Sequence, residues 1–244
     1  MIDIHIHILP GLDDGAKDWP QTLQMARMAK EDGITAMVAS PHLYRHRMVE
    51  PEGLITKDKI FELVSQLNEK LSAAGTDLKI YPGCDVPLCR EALDLLADGA
   101  LMTIADGNRY LLLEFPFSGI PPAIEDILFN LTSTGITPII THPERHLIFS
   151  ESPQKLARLL DLGCLAQLTA QSLTGGFGRH IAKLSSQLVS KGYIQIMATD
   201  AHDPERRPPL LREATARLAK IVGESRAWDM VKTIPEKIVR GETF

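Results

Sequence analysis

Four side chains able to bind a divalent cation fall within the ten residues 5–14: His5, His7, Asp13 and Asp14, followed by Gly15. Imidazole nitrogens combined with carboxylate oxygens suit a transition metal such as zinc, manganese or iron. The start of the chain alternates. Ile2, Ile4, Ile6 and Ile8 occupy one set of positions, and Asp3, His5 and His7 the other. That is the period of a β-strand, and it points both histidines to one side. Pro10 and Gly11 end the strand, and Asp13-Asp14-Gly15 forms a turn. Either Asp13 or Asp14 is the ligand on this pattern. A surface strand with two solvated histidines is the plain alternative, and the later strands decide between the two.

Five further stretches carry the same donor types: Ser40-Pro41-His42, Pro82-Gly83-Cys84-Asp85, Leu113-Glu114-Phe115-Pro116, Thr141-His142-Pro143-Glu144-Arg145 and Asp200-Ala201-His202. Each has an ordinary explanation when taken alone, as a loop histidine, a helix-entry carboxylate or a cap. Together they are informative, because each follows a short apolar run that reads as a strand. Of the eight histidines, His5, His7, His42, His142 and His202 fall at such strand ends, where chance would scatter them over helix surfaces. With Asp14 (or Asp13), Asp85, Glu114 and Asp200 they make about nine donors, more than one four- or five-coordinate ion uses. Two or three ions bridged by carboxylates would use them all.

The elements that must position these groups alternate along the chain. Expected strands are the N-terminal run and residues 34–39, 78–81, 110–113, 137–140, 164–168 and 194–198. Expected helices are residues 20–32, with Leu23, Ala26, Met28 and Ala29 as the apolar face, and 54–74, with Ile60, Leu63, Leu67 and Leu71. Others are 91–97, 124–134, 153–162, 177–191 and 209–222, with a short helical tail. Strands alternating with helices imply a parallel sheet. Only the sixth strand ends without an obvious ligand. Donors from the other strand ends converge if the sheet closes on itself, so the expected fold is a distorted (β/α)7 TIM-like barrel, one domain over residues 1–244, with the metal site at its C-terminal mouth.

Composition narrows the function classes. A net charge of −5 gives no bulk attraction for nucleic acid. No apolar run of about 18 residues is present, so no membrane insertion is expected. The chain opens directly on a strand with no signal-peptide pattern, and three cysteines, Cys84, Cys89 and Cys164, are a sparse, odd set. Both features fit a cytoplasmic protein.

The motifs quoted above resemble the PHP (polymerase and histidinol phosphatase) superfamily. More narrowly, Ile-Asp-Ile-His-x-His-Ile-Leu-Pro-Gly-x-Asp-Asp-Gly is similar to its bacterial protein-tyrosine phosphatase branch, associated with capsule and exopolysaccharide synthesis; the similarity runs from Met1 to about Arg217. The resemblance implies a trinuclear site with manganese, iron or zinc, manganese favoured. In that arrangement His5, His7 and Asp200 hold one ion. Glu114 and His142 hold a second, sharing a bridging carboxylate with the first. Asp14, His42 and His202 hold the third. The family's bridge is typically Glu; here the matching residue is Asp85, one methylene shorter. The implied partner is the tyrosine-rich tail of a bacterial tyrosine autokinase.

Cys84 and Arg90 share the Cys-x5-Arg spacing of cysteine-dependent tyrosine phosphatases. That chemistry needs backbone N–H groups around the phosphate and a low-pKa thiolate. Here Pro87 lacks an N–H and Asp85 would repel the phosphate, so this reading is set aside. Arg145, Arg206 and Arg207 follow directly on ligand-bearing loops, and Arg45 and Arg47 follow His42. A guanidinium matches phosphate oxygens in a fork. The resemblance assigns phosphate contacts to Arg145 and to one of Arg206 or Arg207. Phe177 and Tyr44 are candidates for an aromatic rim, and His42 or Asp14 for the acid that protonates the leaving group. The expected activity is metal-dependent hydrolysis of phosphotyrosine in protein. The alternatives are a small-molecule phosphatase, such as a histidinol-phosphate phosphatase, and a metal-binding module without turnover. The surplus of arginine over unclaimed carboxylate favours the phosphotyrosine substrate.

Overall fold

A computed structural model of the protein describes residues 1–44, 53–116 and 119–244. Arg45 and Arg47 lie outside the described residues. Strands and helices alternate as expected: β1 (Ile2–Ile6), α1 (Trp19–Glu31), β2 (Ala36–Ala39), α2 (Lys57–Ala73), β3 (Lys79–Pro82), β4 (Asp85–Pro87), α3 (Arg90–Ala97), β5 (Tyr110–Glu114), α4 (Ile124–Ser133) and β6 (Thr137–Thr141). There follow α5 (Leu147–Glu151), α6 (Pro153–Asp161), β7 (Leu165–Thr169), α7 (Ala170–Thr174), α8 (Arg179–Ser190), β8 (Ile196–Ala198), α9 (Arg212–Val222), α10 (Glu224–Trp228) and α11 (Ile234–Val239). All strand pairs are parallel.

The strands form two sheets, β1-β2-β3 and β4-β5-β6-β7-β8, where sequence pattern implied one. The expected third strand, 78–81, is β3; directly after it, past Gly83-Cys84, comes a further short strand that was not expected, β4, which pairs with β5 and not with β2. A Cβ on Gly83 would lie 2.4 Å from Val38 Cγ1, so the chain presses against β2 and then leaves it. Isolated parallel bridges, His42 with Asp85 and Ile6 with Ala201, link the sheets at both edges. At the second edge His7 N–H donates to Ala201 O at 2.9 Å, and Asp200 N–H donates to His5 O at 2.8 Å.

Both faces of most strands are buried, as in parallel sheets covered by helices. The larger core cluster takes Ile6, Ile8, Leu111, Leu113 and Ile140; a smaller one takes Ile2, Ile4, Leu112, Ile139, Ile196 and, from α11, Ile234 and Ile238. The isoleucines of β1 therefore do not form one stripe. Its pairing register with β2 shifts between Asp3 and Ile6, across the stretch that holds His5. On α2 the buried residues are Ile60, Leu63, Val64, Leu67 and Leu71, the face its spacing predicts. On α1 they are Thr22, Met25, Ala26 and Ala29, a face rotated from the expected one, because the Thr22 hydroxyl turns inward to donate to Ile8 O at 2.8 Å.

Candidate metal centre

The strand ends bring their donors together. Three groups of ligand atoms lie within 4.8 Å of one another: His5, His7 and Asp200; His42, Asp85 and Glu114; and His7, Asp14, His42 and His202. His7 and His42 each belong to two groups, so the clusters are continuous. His142 joins beside Glu114, with Nε2 3.6 Å from Oε1. Asp14 is the half-exposed member of the set; the other donors are almost wholly buried.

The spacing of these atoms fits shared cations better than mutual hydrogen bonds. His5 Nε2 lies 3.6 Å from Asp85 Oδ2 and 3.5 Å from Asp200 Oδ1. His7 Nε2 lies 3.4 Å from Asp200 Oδ1, and His42 Nδ1 is 3.4 Å from Asp85 Oδ2 and 3.5 Å from Glu114 Oε2. His42 Nε2 and His202 Nε2 stand 3.5 and 3.4 Å from Asp14 Oδ1. Two donors each about 2.1 Å from one tetrahedral ion would be about 3.4 Å apart. Both oxygens of Asp85, and Nε2 of His142 and of His202, are buried without a hydrogen-bond partner. Buried polar atoms normally find one, and a divalent ion would satisfy each of these.

An outer layer aims the imidazoles. His5 Nδ1 is bonded to Gln167 Oε1 at 2.8 Å, His7 Nδ1 to Asp13 Oδ2 at 2.7 Å, and His202 Nδ1 to the Asp200 carbonyl at 3.0 Å. In each case the Nε2 face is turned to the centre, as metal-binding histidines require. Asp13 also accepts the backbone N–H groups of His42 and Gly15. It is thus Asp14 that stands in the donor cluster, and Asp13 braces it. Gly15 is needed here, since a Cβ would lie 2.2 Å from His7 O. Gln167, on the strand that offers no ligand, escaped the sequence reading; a lone amide in the apolar run Leu165–Thr169 was its signal. His142 (φ 37°) and Asp200 (φ 51°) adopt left-handed backbone conformations that most residues avoid. Their N–H groups are held by Gln167 O and His5 O, each at 2.8 Å.

The charges are strongly coupled. Burial works against ionising His7, but Asp13 and Asp200 outweigh it and lift its pKa to about 10. Burial likewise opposes charge on Asp85 and Asp200; His5 and His42 hold the first well below the carboxylate range, and His5, His7 and Arg207 the second. Burial and the His7 charge push His202 down to about 4. Glu144, of the His142–Arg145 loop, is buried and raised by that burial to about 7; its Oε1 accepts from Ser172 Oγ at 2.6 Å and Thr169 N at 3.2 Å, tying the loop to α7.

Arg145 and Arg207 both donate to Asp200 Oδ2. Arg206 points elsewhere. It is exposed and lines a groove with Lys17, Gln21 and Asp203, while its backbone carbonyl accepts from Gln171 Nε2 at 2.6 Å. Phe177 lies against both site arginines. Tyr44 does not form a rim; it is buried in the larger core cluster, 4% exposed. Cys84 is buried, its thiol pKa pushed up by that burial and by Asp85, whereas the Arg90 side chain is 90% exposed. The two cannot form a phosphate loop.

Parallel strands delivering carboxylates and histidines to one buried cluster, flanked by arginines, define a metal-centre protein of the α/β class. The family model described as capsular polysaccharide synthesis, CpsB/CapC, matches residues 1–240, past the Arg217 limit of the motif resemblance, and the chain belongs to that family. It is 34% identical over 244 residues to the tyrosine-protein phosphatase YwqE of Bacillus subtilis, covering 100% of this chain and 93% of that one. It is 32% identical over 213 residues to a putative tyrosine-protein phosphatase, CapC, of Staphylococcus aureus, covering 87% and 81%. Among solved structures it resembles, with a TM-score of 0.94, 34% identity and coverage of 100% and 96%, one from work on YwqE and the Streptococcus pneumoniae protein CpsB, described as unique metal-dependent tyrosine phosphatases.

The outer layer makes a specific expectation. Asp13→Ala removes no donor of the cluster, yet should weaken metal binding about 10- to 100-fold by freeing the His7 ring. Titration of metal-stripped protein by calorimetry measures this, and unchanged affinity would show that Asp13 does not brace the site. A second expectation concerns pH. The raised His7 pKa contributes stability that is full below about 6.5 and lost as pH rises through about 10. An ion at Nε2 must displace that proton, so metal affinity should climb with pH about tenfold per unit for each proton displaced. Proton release on metal addition at pH 6.5 and pH 8 tests the sign.

Proposed function

We propose that this chain is a metal-dependent protein-tyrosine phosphatase. The observation that carries the reading is the Asp200 carboxylate. One oxygen faces His5 and His7; the other takes Arg145 and Arg207. A cation-binding cluster thereby lies directly against two guanidiniums, the arrangement a phosphoryl group needs for charge neutralisation and bidentate contact. The phosphatase names of its relatives support the same reading.

In finer detail, we read the two sheets as one distorted (β/α)7 barrel of PHP type, a single domain over residues 1–244, with the Ile6–Ala201 and His42–Asp85 bridges as its seams. His5, His7 and Asp200 would hold one ion, Asp85, Glu114 and His142 a second with Asp85 as the bridge, and Asp14, His42 and His202 a third. A donor set of imidazoles and carboxylates without thiolate accommodates two or three ions of manganese, iron or zinc, and the family resemblance favours manganese. When bound, such ions acidify water and draw charge from the phosphoryl oxygens. Arg145 and Arg207, rather than Arg206, hold those oxygens. Phenol has a pKa of about 10, so the departing phenolate needs only weak acid assistance, supplied at the Asp14–His42 edge. The substrate we favour is the phosphotyrosine tail of a bacterial tyrosine autokinase in capsule or exopolysaccharide synthesis, in the cytoplasm. The family's description supports the pathway. Among the described residues no helix is long and apolar enough to cross a membrane.

Chelation should abolish hydrolysis of a phosphotyrosine peptide, and manganese, iron or zinc should restore it; full turnover by stripped protein would refute the reading. Arg145→Ala and Arg207→Ala should each lower kcat/KM about ten- to a hundredfold, the worth of a charge-assisted contact. Better turnover of histidinol phosphate than of the peptide would transfer the assignment to a small-molecule phosphatase. For the bridge, Asp85→Ala should lose metal by elemental analysis and Asp85→Glu should regain part of it. Full occupancy in the alanine variant would remove Asp85 from the ligand set.

A further inference from the structure

The two arginines of the site share a neighbour that the ligand chemistry does not call for. The Phe177 ring centroid lies 5.0 Å from Arg145 Cζ and 5.9 Å from Arg207 Cζ. Both distances are within reach of a cation–π contact. The two guanidiniums come from different strand ends, β6 and β8, and meet on one oxygen of Asp200. Like charges so placed repel. The carboxylate draws them together from one side, and the negative face of the ring adjoins both.

The segment that carries Phe177 is closely constrained. It runs Gly175-Gly176-Phe177-Gly178 between α7 and α8, with Gly175 at φ 95° and Gly178 at φ 92°. Gly176 N–H donates to Gln171 O at 2.9 Å and Gly178 N–H to Gly175 O at 2.9 Å. A Cβ on Gly176 would lie 2.3 Å from Gln171 Cγ, so a side chain there would displace Gln171. Gln171 in turn donates from Nε2 to Arg206 O, one residue before Arg207. The turn that presents the ring is thus fastened to the loop that presents one of the arginines. Phe177 itself is only half-buried, so part of an apolar ring remains at the mouth of a strongly polar site.

We propose that Phe177 is a positioning and specificity-determining residue: its ring holds Arg145 and Arg207 side by side for the phosphoryl group, and its exposed part is the apolar wall along which an aryl leaving group lies. The inference rests on the phosphatase reading and deepens it by naming the residue that sets its preference for an aryl over an alkyl phosphate monoester. An aryl group gains from contact with such a wall, whereas the short alkyl chain of a phosphoserine does not reach it.

The test compares metal-loaded wild type with Phe177→Ala, Phe177→Leu and Phe177→Trp. Each is assayed on one peptide sequence carrying either phosphotyrosine or phosphoserine, with metal content measured alongside. Inorganic phosphate, as a competitive inhibitor, reports the arginine pair without any leaving group. In Phe177→Ala the phosphotyrosine-to-phosphoserine ratio of kcat/KM should fall about five- to thirtyfold, and the inhibition constant for phosphate should rise several-fold. The leucine variant keeps apolar bulk without a π face, so it should keep more of the selectivity but lose phosphate affinity; tryptophan should retain both. An unchanged ratio in the alanine and leucine variants, with full metal content, would overturn the role of Phe177 and leave the phosphatase reading standing. If metal-loaded wild type hydrolysed neither peptide, that reading would fall, and the inference with it.

Discussion

The arrangement of the site depends on one buried carboxylate shared between two kinds of cation. Asp200 turns Oδ1 to the imidazoles of β1 and Oδ2 to the guanidiniums from the β6 and β8 loops. Burying an ionised carboxylate is costly unless it is paired. Here the pairing is so extensive that its pKa stays well below the usual range in spite of burial. The geometry is secured from the backbone. Asp200 adopts a left-handed conformation at the end of β8, and its N–H is tied to His5 O across the seam with β1. The first and last strands thus meet at the residue that faces both the histidine cluster and the two arginines.

Around that carboxylate the site is built in layers. The inner layer of imidazole nitrogens and carboxylate oxygens is crowded, and in it both Asp85 oxygens and Nε2 of His142 and His202 lack a hydrogen-bond partner. The outer layer holds the imidazoles from behind. Asp13 serves His7 and two backbone N–H groups, Gln167 serves His5, and the Asp200 carbonyl serves His202. The two partners differ in charge: Asp13 is held down at about 2 while Gln167 is neutral, so adjacent histidines are polarised unequally. Asp3 adds a further tie beneath the centre, accepting from Thr199 N at 3.0 Å and His5 N at 3.3 Å. An outer layer that aims the inner donors is what a preformed cation site requires. Its inner donors must be aimed before the ion arrives.

Much of this was legible in the chain because the code for it is local. A parallel strand is a short apolar run, and a residue directly after it is placed by the strand itself. Six of the seven expected strands end in donors, and these ends located His5, His7, His42, Asp85, Glu114, His142, Asp200 and His202, all of which the fold gathers together. Where local pattern misled, a tertiary contact had intervened. The isoleucine stripe of β1 is split where the register shifts against β2, and after Gly83 passes Val38 the chain forms an unexpected strand, β4, in the other sheet. Tyr44, an aromatic beside a ligand and so a reasonable rim residue, is drawn into the core instead.

The sequence by itself determined the inventory: a parallel α/β chain, a donor set rich in histidine and carboxylate at its strand ends, arginines beside it, and a family resemblance carried by contiguous motifs. These are properties of residue type and short-range spacing. Only the tertiary structure decided among neighbours of the same kind. It set Asp14 in the cluster and Asp13 behind it, turned Arg207 to Asp200 and Arg206 to the outer groove, and revealed Gln167 as the partner of His5. Adjacent residues in a turn have nearly the same composition of surroundings in sequence but diverge in direction. Direction is fixed by strand register, by left-handed residues such as His142 and Asp200, and by close approaches such as Gly15 against His7, all of which arise from chain segments distant in sequence.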